Sequence, residues 1–146
     1  MILLDTNILV RLADRNDPQY PVTHGAIQGC LRKNRQLLVA HQSLHEFWAV
    51  ATRPRKKNGL EMQTTTADRY IARFMRLFAI VDDPPGLFSQ WRGMVNRLNV
   101  KGLQCYDARL AAFANATNCR GIMTYNVDDF ALFPIPIVNP HDPSTW

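Results

Sequence analysis

Acidic residues are few in this chain, so where they fall is informative. There are 12 Asp and Glu against 17 Lys and Arg, and Glu46 and Glu61 are the only glutamates. Asp5 ends an apolar run, Met1–Leu4; Asp107 opens a stretch of small residues; Asn126, Asp128 and Asp129 follow Gly121–Thr124. Oxygen donors from such separate segments, brought to one place, are what Mg2+ or Mn2+ binds: hard ligands, few in number, with positions left for water and a phosphate. Each acid also has a plainer use. Asp5 and Asp107 could each be a helix N-cap, Glu46 could complement a helix dipole, and Asp128-Asp129 could be a solvated turn. The metal reading therefore rests on convergence of the acids, and convergence needs a scaffold.

The pattern of the chain supplies one. Met1–Leu4, Leu37–Ala40, Gly121–Thr124 and Ile135–Val138 are short apolar runs with polar or turn-forming flanks, which reads as buried strands. Prolines mark the last of them as an edge. Between them lie helical segments: one through Leu12 capped by Asp5 or Thr6, one opening at Pro21, and one over about Ser43–Thr52. Another spans about Thr66–Phe78, with Ala67, Tyr70, Ile71, Phe74, Met75 and Phe78 as its apolar face. Leu87, Phe88, Trp91, Met94, Val95 and Leu98 mark a further helix, and Tyr106–Ala116 a small-residue helix able to pack closely on a sheet. In the helix after Pro21, Val22, Ala26, Ile27, Cys30 and Leu31 are expected to face inward. Strands alternating with helices imply an α/β fold with a parallel sheet covered on both faces. Sites in such sheets form beyond the carboxyl ends of the strands, where Asp5, Glu46, Asp107 and the Asn126–Asp129 segment are all expected.

The remaining features bound the class. The length fits one compact domain spanning 1–146, and 47% hydrophobic residues argue against disorder. No apolar segment is long enough for a membrane helix, and the opening residues lack a signal-peptide pattern. Cys30, Cys105 and Cys119 are scattered and odd in number, as expected of reduced thiols in a cytoplasmic protein. His41 and His45 precede Glu46 but match neither zinc motif of the type His-Glu-x-x-His or His-x-x-Glu-His, and His41 is expected in a strand-to-helix loop. No phosphate-binding glycine loop occurs. An aspartyl-phosphate enzyme would want a second Asp where Asn7 stands. The net charge of +5 favours polyanionic partners.

Four of these segments, in this order, resemble the PIN-domain family, and within it the VapC-like ribonuclease toxins of toxin–antitoxin systems. They are Asp5-Thr6-Asn7 after the N-terminal strand, the helical Glu46, Tyr106-Asp107-Ala108 before Leu110-Ala111, and Thr124-Tyr125-Asn126-Val127-Asp128-Asp129-Phe130. Arg53-Pro54 with Asn58-Gly59-Leu60 is similar to one subgroup of these toxins. The resemblance implies a three-layer fold with a roughly five-stranded parallel sheet, Ala79–Val81 supplying the fifth strand. It also implies Mg2+-dependent cleavage of RNA phosphodiesters, with Mn2+ able to substitute. On this resemblance Asp5, Glu46 and Asp107 are the core carboxylates. The fourth position falls to Asn126 or Asp129: many members have Asp where this chain has Asn126, and Asp129 would restore the charge directly or through water. Asp5 and Asp107 would hold the principal ion, and Glu46 with Asn126 or Asp129 would orient a water or a second ion. Thr6, Asn7 and Thr124 are expected to steady the acids.

Positive charge outside the acidic pocket would position RNA. Arg53, Arg55, Lys56 and Lys57 form the densest cluster and Arg11 is a further candidate, although a solvated loop would look the same. Trp48 and Tyr125 are available for stacking on bases or for the core. The resemblance further implies a cognate antitoxin protein and a homodimer. The alternative function is a catalytically weak or inactive PIN domain that binds RNA or protein, which Asn126 encourages and three intact acids oppose.

Overall fold

Five short apolar runs are too hydrophobic to leave in water and too short to be stable alone, so they pair. The computed structural model describes residues 1–146. It places β1 (Ile2–Leu4), β2 (Leu37–Ala40), β3 (Ala79–Val81), β4 (Ile122–Met123) and β5 (Ile137–Val138) in one sheet. The order is β3-β2-β1-β4-β5, and every pairing is parallel. The central strands β2, β1 and β4 are buried at every position, as a parallel sheet covered on both sides demands.

Six helices supply the cover: α1 (Thr6–Ala13), α2 (Tyr20–Arg32), α3 (His41–Thr52), α4 (Thr64–Leu77), α5 (Leu87–Arg97) and α6 (Gln104–Ala116). Side chains alternate across a strand, and the two cores follow that period. Ile2, Leu4, Leu37, Val39 and Met123 join residues of α1 to α4, among them Ile8, Ala26, Phe47 and Phe74. Leu3, Leu38, Ala40 and Ile122 point the other way, into a core shared with Leu87, Met94 and the Ala108–Ala114 stretch of α6. The small side chains of α6 let it pack closely, and Ala111, Ala112, Phe113 and Ala114 are wholly buried.

The strand order decides where a site can form. From β1 the chain steps outward through β2 to β3, then returns to the opposite side for β4 and β5. The carboxyl ends of β1 and β4 therefore flank the point where the winding reverses, which is where open α/β sheets leave a crevice. Asp5 directly follows β1 and Thr124 directly follows β4.

Several expectations are corrected. α6 begins at Gln104 with Leu103 in the cap position, so Asp107 stands in its first turn and is not its N-cap. His41 is the first residue of α3 and follows β2 with no loop between them. β4 and β5 are shorter than the apolar runs that contain them. Leu31, Met75 and Phe88, taken as inward-facing, are exposed, Phe88 by 69%. Each sits at the margin of its helix's apolar stripe, where periodicity names a face without saying how far the neighbouring element reaches.

Candidate active site

The first strand ends in a carboxylate that the backbone and two other side chains hold in place. Asp5 caps α1 by accepting from the Thr6 backbone N–H at 2.6 Å. Its other oxygen accepts from Asn7 Nδ2 at 2.6 Å and from Thr124 Oγ1 at 2.6 Å. The Thr124 hydroxyl, wholly buried, also accepts from Asn7 Nδ2 at 2.9 Å and from the Asn126 N–H at 3.0 Å. That uses its single proton and both lone pairs. Asn7 closes the circuit by accepting from the Tyr125 N–H at 3.2 Å. The segments after β1 and after β4 are thus laced together across the switch point.

Glu46 arrives from α3, on the neighbouring side. Thr6 Oγ1 donates to its Oε2 at 2.6 Å, and Gln42 Nε2 donates to its Oε1 at 2.8 Å. Each oxygen keeps a further lone pair. Asp107 arrives from α6, on the opposite face of the sheet. Its carboxylate accepts a hydrogen bond from no other residue, and the main influences on it are burial and its acidic neighbours. The helix-cap account of Asp107 is therefore excluded, while Asp5 does serve as a cap and faces the crevice as well.

The acids feel one another. Asp5 is pushed up to about 6, mainly by burial, with Glu46 and Asp129 adding repulsion against the opposing bonds from Thr124 and Thr6. Asp107 is also pushed up to about 6, by burial first and then by Asp129, Asp5 and Glu46. Burial and like charge both disfavour ionisation. Asp129, exposed on the 3-10 turn Val127–Phe130 that Phe130 buries into the core, is thus electrostatically part of the group although it does not line the cavity over these acids.

A cavity of about 640 Å³ opens over these residues. Asp5, Thr6, Asn7, Glu46, Asp107 and Asn126 line it, and so do Arg11, Arg53 and Arg55. Lys56 and Lys57 lie outside the lining, as do His45 and Trp48. Arg11 pairs with no acid: it donates to the Asn7 carbonyl at 3.1 Å and lies 4.4 Å from the Tyr125 ring centroid. Tyr125 is occupied by that cation and by a 2.9 Å hydrogen bond between its hydroxyl and Thr23. A separate depression of about 690 Å³, bordered by Phe88, Trp91 and Pro84, gathers no comparable set of acids.

The donor chemistry fits a hard divalent cation and not zinc: every candidate ligand is an oxygen, and no cysteine or histidine lines the cavity. The acids do not form a closed cage, since no three Asp, Glu, His or Cys side chains meet closely enough to enclose an ion. An open arrangement suits Mg2+, which keeps several waters and takes one or two carboxylates directly.

Three participants were not anticipated from the sequence. Asp14 and Asp17 line the cavity as well, and Gln42 holds Glu46. Gln42 precedes Glu46 by one helical turn, a spacing that puts both on one face, but its other partners come from α6 and leave no trace in local sequence.

Comparison with known proteins agrees with this architecture. A search of curated proteins finds no significant match. Among solved structures, a chain of VapBC2 from Rickettsia felis, determined with a DNA fragment from its promoter, superposes with a TM-score of 0.73 at 19% identity. The match covers 95% of this chain and 98% of that one. A toxin–antitoxin complex from Klebsiella pneumoniae matches with a TM-score of 0.65 at 20% identity, over 97% and 99% of the two chains. VapC20 of Mycobacterium tuberculosis, described as a toxin cleaving the sarcin–ricin loop, gives 0.65 at 14% identity over 90% and 94%. At such identities the likeness is one of fold. The model of the PIN domain, however, matches residues 2–134, nearly the whole of the sheet and all six helices, and on that ground the chain belongs to the PIN-domain family.

Proposed function

We propose that this chain is a metal-dependent endoribonuclease and the toxin of a toxin–antitoxin pair. The observation that carries the reading is that Asp5, Glu46 and Asp107, from three separate elements, line one open cavity, with Asp5 and Asp107 both resisting ionisation, mainly through burial. A group of acids that destabilise one another's charge is poised to gain a cation. The similar fold of chains from toxin–antitoxin complexes and of a toxin that cleaves RNA supports the biological role.

Asp5 and Asp107 would hold Mg2+ or Mn2+, and Glu46 with either Asn126 or Asp129 would orient a water or a second ion. When bound, such an ion lowers the pKa of water and neutralises charge on the phosphate. The chain's own residues do the rest. Thr6, Asn7 and Thr124 hold the Asp5 carboxylate in one orientation. The free lone pairs on the Glu46 oxygens would accept a proton from an attacking water. Arg11, Arg53 and Arg55 in the lining would receive neighbouring phosphates. Lys56 and Lys57 are reassigned to longer-range attraction, since they lie off the lining. A cognate antitoxin would silence the enzyme by covering this cavity, and a homodimer is the expected assembly.

One observation favours the reading of a PIN domain that binds without cutting: the neutral Asn126 stands in the lining of the cavity while the charged Asp129 does not. The test is incubation of antitoxin-free protein with total prokaryotic RNA and Mn2+, beside chelator and Asp5→Ala controls. Discrete cleavage lost in both controls is the expected result. Intact RNA together with retained Mn2+ binding would support the binding module.

A further inference from the structure

Gln42 makes three hydrogen bonds that all agree on one orientation of its amide. Its Nε2 donates to Glu46 Oε1 at 2.8 Å and to the Tyr106 carbonyl at 3.0 Å. Its Oε1 accepts from Arg109 Nη1 at 2.9 Å. A flipped amide would set its carbonyl against two acceptors and its NH2 against a cation, so the orientation is determined by its partners. Arg109 is itself anchored by the Asp83 carboxylate.

The partners lie on two helices that do not share a core. α3 carries Gln42 and Glu46 and packs with α1 and α4 through the core that holds Leu44, Phe47 and Ala51. α6 carries Tyr106, Asp107 and Arg109 and packs on the other face of the sheet. Glu46 and Asp107 therefore approach the cavity from opposite faces, and no shared hydrophobic contact fixes their separation. Gln42 lies between them: its one amide nitrogen holds both Glu46 and the backbone carbonyl next to Asp107, and its oxygen holds Arg109 of α6. Thr6 fixes only the other oxygen of Glu46, and fixes it relative to α1.

Building on the metal-dependent reading above, we propose that Gln42 is a positioning residue: it sets the Glu46 carboxylate relative to Asp107 through a strap of hydrogen bonds joining α3 to α6. Hydrogen-bond partners of metal-binding groups govern affinity on the order of tenfold or more. An amide is suited to the task because it donates to Glu46 and accepts from Arg109 while adding no charge to an already repulsive acidic group.

The test is Mn2+ binding to the purified protein, read from the electron paramagnetic resonance signal of free Mn2+, with folding checked by thermal melts. Gln42→Met keeps the volume and removes every hydrogen bond; Gln42→Ala, compatible with a helix, serves as a second variant. The expected loss is on the order of tenfold in Mn2+ affinity, with a fall in kcat for RNA cleavage and little change in KM. In a Glu46→Ala background the same substitution should cost nothing further, because Gln42 acts through Glu46. Unchanged Mn2+ affinity in both Gln42 variants overturns the proposal, and so does an equal loss when Glu46 is already absent. Wild-type protein that binds no Mn2+ overturns the metal-dependent reading and this assignment with it. Wild-type protein that binds Mn2+ but leaves RNA intact sinks only the nuclease reading, and the binding cycle still decides the role of Gln42.

Discussion

Thr124 shows how much a single hydroxyl can carry. It is wholly buried, donates to Asp5, and satisfies one N–H from Asn7 and another from Asn126. Thr124→Val keeps the shape but takes one hydrogen bond from each of Asp5, Asn7 and the Asn126 N–H, leaving the last without a partner. Unmet buried donors cost about 1–3 kcal/mol each when no water replaces the bond, so the variant should unfold at a distinctly lower urea concentration. Its Asp5 should also titrate higher, since the hydroxyl bond is the largest influence holding that acid down. Carbon-detected NMR of the Asp5 carboxyl reads this directly, and an unmoved titration would show that Thr124 does not tune the acid. The acids themselves were legible in sequence because they follow strands or open helices, where topology directs side chains to one edge. The role of Thr124 was legible only as adjacency to β4. That it serves Asp5 depends on strands 1 and 4 being neighbours, and no local pattern encodes that pairing.

At the scale of elements, the loop after α3 is built more firmly than its charge suggests. Arg53, Pro54 and the 3-10 turn Arg55–Lys57 return on Asn58 in the left-handed conformation, and Arg53 Nη2 donates to the Asn58 carbonyl at 2.9 Å. The following residues bond back to α3, Leu60 to Val50 and Met62 to Ala51. A side chain at Gly59 would set its Cβ 2.0 Å from the Arg53 carbonyl oxygen, so the backbone itself must shift. Gly59→Ala should therefore cost about 1–3 kcal/mol, in the range of overpacking substitutions. Because the shift moves Arg53 and Arg55 in the cavity lining, KM for RNA should rise with little change in kcat. A normal KM in steady-state kinetics would remove this loop from substrate binding. The sequence marked the segment as a break with proline, glycine and charge, yet a solvated loop has the same composition. What distinguishes them is the set of backbone bonds to α3, which only the folded chain displays. The start of α6 was hidden for a related reason: Leu103 offers no polar side chain to cap it. Four of the strands, β1, β2, β4 and β5, were by contrast readable from their apolar runs, and the central β2, β1 and β4 are buried at every position; β3 was expected only from the family resemblance and is half-buried.

For the molecule as a whole, the acidic cavity sets stability against function, and the conflict has a sign that can be worked out. Asp5 and Asp107 stand near 6 in the folded protein against 3.8 when unperturbed. Raised values mean that the folded state binds protons more tightly than the unfolded state between those limits. The stability they contribute is then fully present below about pH 4 and is lost as pH rises through about 6. Asp142 acts oppositely: held low by Ser144, it adds stability above its unfolded value, which is lost only on further acidification. The metal-free protein should accordingly weaken from pH 4.5 to 7. Asp107→Asn should flatten that decline and exceed the metal-free wild type in stability at neutral pH. A divalent cation competes with the same protons, so its effect should run the other way, small at pH 5 and growing above 6. At a hundredfold excess over Kd the gain is about 2.7 kcal/mol, on the order of 5–10 °C in Tm for a chain of this size. Melts with Mn2+ and with chelator across this range decide the matter. A metal-induced shift that is constant with pH would place the ion away from Asp5 and Asp107, and one that survives Asp107→Asn undiminished would exclude that residue from holding it.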